Sequence, residues 1–280
     1  MNKKQIVIIV AVIAVTGYLY SLPVKGLVKP KATRTNAGVA GGNTQASNIS
    51  VATVSAAGKV AIGAALTAKI NDLEGQLKNA PENDKPALEK QLATQWDDDN
   101  QPAPAAFYYQ AVARKDNKFE DWLNAGNRFN DSYKLTQDTA SQALYTSSAA
   151  EAFQNARKLK PASLDAKTGL GIAYVNGAGM PMQGIGLLKD VVKQDPKNVV
   201  ANLNLGMFSM KSGQYEKAIG WFKTVIAIKP GFEPYFYLAE TYKQLGKKTE
   251  AIAAYQKCKE MMPDPVFGQR IDEYIKELKN

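Results

Sequence analysis

The apolar positions of the chain fall into three regimes that divide it before any motif is considered. Ile6 to Val24 carries no charge, and within it Ile6 to Val15 is unbroken apolar sequence. Residues 35–58 are mostly Gly, Ala, Asn, Ser, Thr and Val, with neither charge nor proline. Beyond them apolar residues recur at helical spacing, first as Leu66, Ile70, Leu73 and Leu77 at intervals of four, three and four. That spacing gathers the side chains on one face of an α-helix, and Asn79-Ala80-Pro81 ends it.

The first regime predicts a membrane span over 5–24 after a short tail at 1–4. Nineteen uncharged residues at a helical rise reach about 28 Å, close to the hydrocarbon thickness of a bilayer. Tyr18 and Tyr20 stand where an interfacial aromatic belt belongs, ahead of Pro23. The competing reading is a cleaved signal peptide, with Met1-Asn2-Lys3-Lys4 as its basic start and a cut after Ala14 or Gly17. The small-residue cleavage pattern is poor, and no cysteine follows to carry a lipoprotein's acyl chains. Basic charge is nearly balanced across the span, Lys3, Lys4 and the α-amine against Lys25, Lys29, Lys31 and Arg34. A short two-lysine tail stays in the bacterial cytoplasm, which predicts an inner-membrane, single-pass topology with the remainder in the periplasm.

Residues 25–58 then read as a basic flank and flexible linker, in which the 35–58 coil averages about 25–30 Å end to end. The amphipathic helix over 59–80 has two readings, a cap packed on the first repeat or a short coiled-coil seam between two copies of the chain.

Comparing the chain with itself yields its strongest signal. A small residue, an aromatic or leucine four later and proline eight after that recur as Ala149/Phe153/Pro161, Gly184/Leu188/Pro196, Ala218/Phe222/Pro230 and Ala251/Tyr255/Pro263. Ala105/Tyr109 begins a fifth copy with Asn117 in the proline position. Upstream of each lies a second pattern: Leu92-Ala93 with Trp96, Ala125-Gly126 with Phe129, Leu170-Gly171 with Tyr174, and Leu238-Ala239 with Tyr242. In the fourth copy Leu205-Gly206 is followed by Ser209. Small residues let two helices approach, aromatics fill the space between hairpins, and proline stops the second helix. The prediction is an all-α solenoid of five hairpins (86–117, 119–161, 165–196, 199–230, 232–263).

These residues resemble the tetratricopeptide-repeat (TPR) family, whose W-x2-L-G-x2-Y, A-x3-F and P positions are matched by Trp122, Ala125, Gly126, Phe129, Ala149, Phe153 and Pro161. The resemblance spans residues 86–263 and implies a superhelix that binds proteins or peptides in a groove lined by the first helix of each hairpin. Met180-Pro181-Met182-Gln183-Gly184 with Leu203-Asn204-Leu205-Gly206-Met207-Phe208-Ser209-Met210-Lys211 also resembles an anchored TPR protein type of Bacteroidetes bacteria.

Two repeats depart from the register. Phe129 to Ala149 is 20 residues where Trp96 to Ala105 is nine. The 11 extra residues amount to about three turns, so both helices can lengthen without rotating their buried faces, giving a protruding tip near Leu135 to Thr139. In the third repeat Asn176-Gly177-Ala178-Gly179 reads as a turn-rich loop. After Pro263, Phe267, Ile271, Tyr274, Ile275 and Leu278 form an amphipathic stripe, the terminal cap (264–280) that a solenoid needs.

Charge and chemistry narrow the function. The net charge is +9, but six basic residues precede residue 35 with no acid among them, leaving +3 for the rest. Basic charge beside an apolar run suits lipid headgroups and argues against nucleic-acid binding. With no histidine and one cysteine, Cys258, the chain has no His-based triad, Cys/His zinc site or internal disulfide. Asp97-Asp98-Asp99-Asn100 lacks the alternation, central glycine and closing glutamate of a calcium loop, and reads as a solvated turn. Glycines at 38–42 and 177–179 lack the context of a phosphate loop. An acid pair such as Asp190 and Asp195 is the only chemistry that an enzyme reading could use. The sequence therefore predicts no enzyme, no cofactor and no metal.

The resemblance maps the groove onto Leu123, Asn127, Thr168, Ile172, Leu203, Met207, Met210, Phe236, Glu240 and Lys243. Asn127 and Asn204 are fragments of the family's carboxylate clamp, but Glu233 and Tyr237 stand where its last Lys and Arg would be, so no clamp is expected. The expected role is a membrane-anchored scaffold for a partner protein or peptide. The alternative is a structural or self-associating subunit of an envelope complex, for example translocon-associated or chaperone-like.

Overall fold

The computed structural model describes residues 49–262 and 264–279. The predicted anchor, its basic flank and Pro263 lie outside the described residues. Among these, every regular element is an α-helix, and there are thirteen.

Two helices precede the repeats, α1 (Val51–Ile62) and α2 (Ala64–Asn79). This corrects the expected linker and the single helix over 59–80. The chain is helical from Val51, and Gly63, at φ 80°, breaks it in two. Ser50 starts α1 with a capping box in which Thr53 takes the usual acidic place. The Thr53 amide donates to Ser50 Oγ (3.3 Å) and the Ser50 amide donates to Thr53 Oγ1 (2.9 Å). The α2 stripe turns onto the first repeat. Ile70 is fully buried, Leu73 and Leu77 pack beside it, and Leu66 is left at the edge. Glu74 clasps the layer, accepting from Ser55 Oγ (2.6 Å) and Tyr108 Oη (3.3 Å) and pairing with Lys59.

Five hairpins follow: α3 (Lys85–Asp98) with α4 (Pro102–Asp116), α5 (Phe119–Leu135) with α6 (Thr139–Leu159), α7 (Leu164–Asn176) with α8 (Pro181–Gln194), α9 (Val199–Lys211) with α10 (Tyr215–Ile228), and α11 (Phe232–Gln244) with α12 (Lys248–Met261). The terminal helix α13 (Pro265–Lys279) buries Ile271, Ile275 and Leu278 against the last hairpin. Starts and stops follow from local chemistry. Asp138, Ser163 and Asn198 accept backbone amides at the starts of α6, α7 and α9, while Pro161, Pro196 and Pro230 stand just past α6, α8 and α10.

The small positions of the repeat are where helices touch. A methyl built on Gly184 would stand 2.5 Å from the Gly171 carbonyl oxygen, and one on Gly206 would stand 2.5 Å from the Phe222 ring. In the second hairpin α5 has 17 residues and α6 has 21, against 13 and 14 in the third. The added turns keep their register and buttress the next repeat. Asn130 Nδ2 donates to the Gly169 carbonyl (3.1 Å), and Gly177 backs onto the Thr146 side chain.

First helices of successive hairpins lie against one another, α5 with α7, α7 with α9 and α9 with α11, whereas the second helices have no comparable contact. The first helices thus form the closed inner side of the stack and the second helices are splayed. That splay sets the shape of every recess on the surface.

Candidate functional site

On the inner side eight of the ten predicted residues line two recesses. The forward one, about 350 Å³, takes Leu123 and Asn127 from α5 and Thr168 and Ile172 from α7, closed by Asn198 and Val200 at the start of α9. Asn127 is exposed and Leu123 half-buried. Thr168 and Ile172 form a floor more than a lining, at 5% and 7% exposure. The Thr168 hydroxyl donates to the Leu164 carbonyl (2.7 Å), and Ile172 packs with Leu188 and Leu205. Arg128, Asp131 and Lys134 give this recess a mixed-charge rim, with Arg128 pairing to Asp97 (2.7 Å) and Asp131 (2.9 Å). The aspartate run, expected as a solvated turn, instead forms the last residues and cap of α3, and it is tied to α5 through Asp97, which also accepts from Tyr109 Oη (3.2 Å).

The rear recess, about 430 Å³, collects Met210, Phe236, Glu240 and Lys243 together with Tyr215, Tyr237 and Tyr274. Leu203 and Met207 lie half-buried beside it. Its walls are aromatic: Phe236 packs edge-on to Tyr237 and Tyr255 and faces Tyr274 at 6.3 Å, and Tyr237 stacks on Phe222 at 5.6 Å. Two of its polar residues already have partners. Glu240 accepts from the Tyr255 hydroxyl, and Lys243 reaches Glu277 on α13 (3.4 Å) while lying over the Tyr274 ring. The Tyr255 hydroxyl is held protonated by burial and by the Glu240 carboxylate. Helix α13 therefore walls the rear of the groove, a part that sequence pattern did not assign to it.

The clamp fragments do not converge, since Asn204 Nδ2 donates to the Val200 carbonyl of its own helix (2.8 Å). Cys258 is fully buried, and burial pushes its thiol up to about 12. Asp190 is exposed on α8, and Asp195 accepts the Lys197 amide (3.1 Å) beyond the helix end.

A third recess, about 480 Å³, opens on the other side, in the wedge between second helices α8 and α10. Leu205 and Phe208 of α9 form its floor, and Ile185 and Trp221 its sides. Sequence reasoning missed it, although Ser209, the one departure from the aromatic position, lies on its wall.

Comparison with known proteins agrees with the helical architecture. The tetratricopeptide-repeat family model matches residues 177–238 and again 232–265. No curated protein matches the chain. Among solved structures, a thermophilic TPR protein from Thermus thermophilus is 20% identical with a TM-score of 0.54, covering 69% of this chain and 98% of its own. A TPR protein from Parabacteroides merdae is 13% identical with a TM-score of 0.56, covering 84% of this chain and 86% of its own. At such identities these structures speak for the fold alone. With five hairpins in one register and two matches to the repeat itself within residues 177–265, the chain carries tetratricopeptide repeats, a repeat type that mediates protein–protein interaction.

Proposed function

We propose that this protein is a scaffold, anchored in the membrane by residues 5–24, that holds a partner protein or extended peptide along its first-helix groove. The observation that carries this reading is the rear recess. There Met210, Phe236, Tyr237 and Tyr274 leave half-buried apolar and aromatic faces beside exposed Lys211 and Gln244. Such a surface offers adaptable contacts around aromatic anchors, the composition of binding hot spots. The forward recess, with exposed Asn127 and a mixed-charge rim, provides polar registration for the same extended ligand. Binding, and no catalysis, is the proposed activity, with the domain on the periplasmic side of the inner membrane.

Capture from crosslinked membranes tests the groove. Met207→Glu combined with Met210→Glu is expected to lose the principal partner while melting cooperatively. An unchanged set of partners in that variant refutes the groove. Protease protection of the domain in spheroplasts tests the topology. The alternative, a self-associating subunit of an envelope complex, is favoured only by the exposed tip, where Leu135 is 72% exposed. It predicts concentration-dependent sedimentation of residues 49–280, which the scaffold reading does not.

A further inference from the structure

The recess between α8 and α10 coincides with the one break in the repeat's aromatic register. In three of the other hairpins the residue at this point of the first helix turns toward the preceding layer and fills the space there. Trp96 lies against Gly58 of α1, and Phe129 meets Phe107 of α4 edge-on at 5.3 Å. Tyr174 accepts a hydrogen bond from Gln154 Nε2 of α6 (2.8 Å), and Tyr242 is buried. The fourth hairpin has Ser209 instead, and what remains is an open recess with Leu205 and Phe208 beneath it and Trp221 along one side.

Neighbouring wedges show what closure looks like. Between α4 and α6, Arg114 pairs with Glu151 (3.0 Å) and Gln110 donates to the same carboxylate (3.4 Å). No such bridge joins α8 to α10 among the described residues. The polar rim of the recess is instead of one sign. Lys189 and Lys217 are both exposed and line it, no acid does, and neither lysine belongs to an ion pair among the described residues. Lys217 reaches only the Gln214 side-chain carbonyl oxygen (2.8 Å). Gly220 in the middle of α10 leaves the side of the recess bare, with nothing within 4 Å of where a β-carbon would stand. Glycine at such a point weakens the helix and gains no internal packing, while it lets a second chain come close.

From these features we infer that the wedge between α8 and α10 is a second peptide-binding site, separate from the first-helix groove. It takes an aromatic side chain of a partner flanked by carboxylates. The ring occupies the volume that an aromatic at position 209 fills in the other repeats, stacking against Trp221 over Leu205 and Phe208. The flanking acids meet Lys189 and Lys217, and the hydroxyls of Ser209 and Ser212 complete the polar edge.

The test uses the full chain, with phosphatidylcholine liposomes present to hold its apolar N-terminal segment. The probe is a blocked pentapeptide of four aspartates around a central 4-fluorophenylalanine, followed by its fluorine resonance. Saturable binding is expected, weaker by at least about tenfold when lysines replace the aspartates, since the attraction then becomes repulsion. Ser209→Phe fills the recess. It is expected to raise the melting temperature and weaken the probe by at least about tenfold. Lys189→Glu with Lys217→Glu, both on the exposed rim, is expected to reverse the preference toward the lysine peptide. Leu123→Glu, in the first-helix groove, is expected to leave binding unchanged. The proposal is overturned if no saturable binding occurs, if a cooperatively melting Ser209→Phe binds as well as the parent, if charge reversal leaves the preference as it was, or if Leu123→Glu alone abolishes binding.

Discussion

Two glycines of α8 show how one residue type is used for opposite ends. Gly184 lies where α8 crosses α7, and a methyl there would meet the Gly171 carbonyl oxygen at 2.5 Å and the Val175 side chain at 2.7 Å. Backbone cannot yield as a flexible side chain does, so Gly184→Ala is expected to cost about 1–3 kcal/mol in urea unfolding. Gly186, two residues on, has nothing within 4 Å of a built methyl, and Gly186→Ala is expected to add about 0.5–1 kcal/mol by reducing backbone entropy in the unfolded chain. Equal effects of the two substitutions would contradict the packing described. Cys258 supplies a pH-dependent counterpart. Its thiol is raised to about 12 by burial, above the ordinary value of about 8.5. The unfolded chain therefore ionises first, and this contribution, complete at neutral pH, is lost as pH rises from the ordinary value through 12. The stability advantage of the parent over Cys258→Ala should shrink between pH 8 and about 10.5; a constant gap would show that the thiol is not desolvated.

At the scale of elements, what was legible in the sequence tracks the repeat. The boundaries of α3 to α12 follow from small residues, aromatics and prolines in fixed register, and the long second hairpin follows from a whole number of turns. Helix α1 was hidden because its sequence is small and uncharged, and its cap pairs Ser50 with Thr53 where the usual signature has an acid. Only Lys59 marks its last turn, and Gly63 divides what reads as one helix. The first layer is also locally held, since Glu74 gathers Ser55, Lys59 and Tyr108 from α1 and α4. In a solenoid each layer depends on its neighbours alone. Glu74→Ala should accordingly speed amide hydrogen exchange across α1 and α2 while leaving α11 to α13 unaffected. Uniform acceleration over all helices would instead mean that the stack unfolds as one unit.

Across the whole molecule the groove was partly readable. The repeat says which helices face inward but not how far each side chain is covered by the next hairpin. Thr168 and Ile172, expected in the lining, form its floor, because Ile172 packs with Leu188 and Leu205 of the neighbouring helices and Thr168 turns its hydroxyl onto the Leu164 carbonyl. The contribution of Tyr274 was invisible for a related reason, since it comes from α13, outside the repeat. The outer recess was foreshadowed by Ser209, yet a missing aromatic becomes a cavity only if neighbouring helices do not close over it. Splaying of α8 from α10 is a property of the stack and not of either helix.

The central claim is that a partner lies on the first-helix side. Site-specific photocrosslinking in cells tests it most directly, with benzoylphenylalanine placed at Asn127 on α5, at Leu203 on α9, and at exposed Lys158 on second helix α6. The account predicts the same discrete adduct from Asn127 and Leu203, none from Lys158, and loss of both adducts when Met210→Glu is introduced. An adduct from Lys158 alone, or one from Asn127 and Leu203 that survives Met210→Glu, would contradict it.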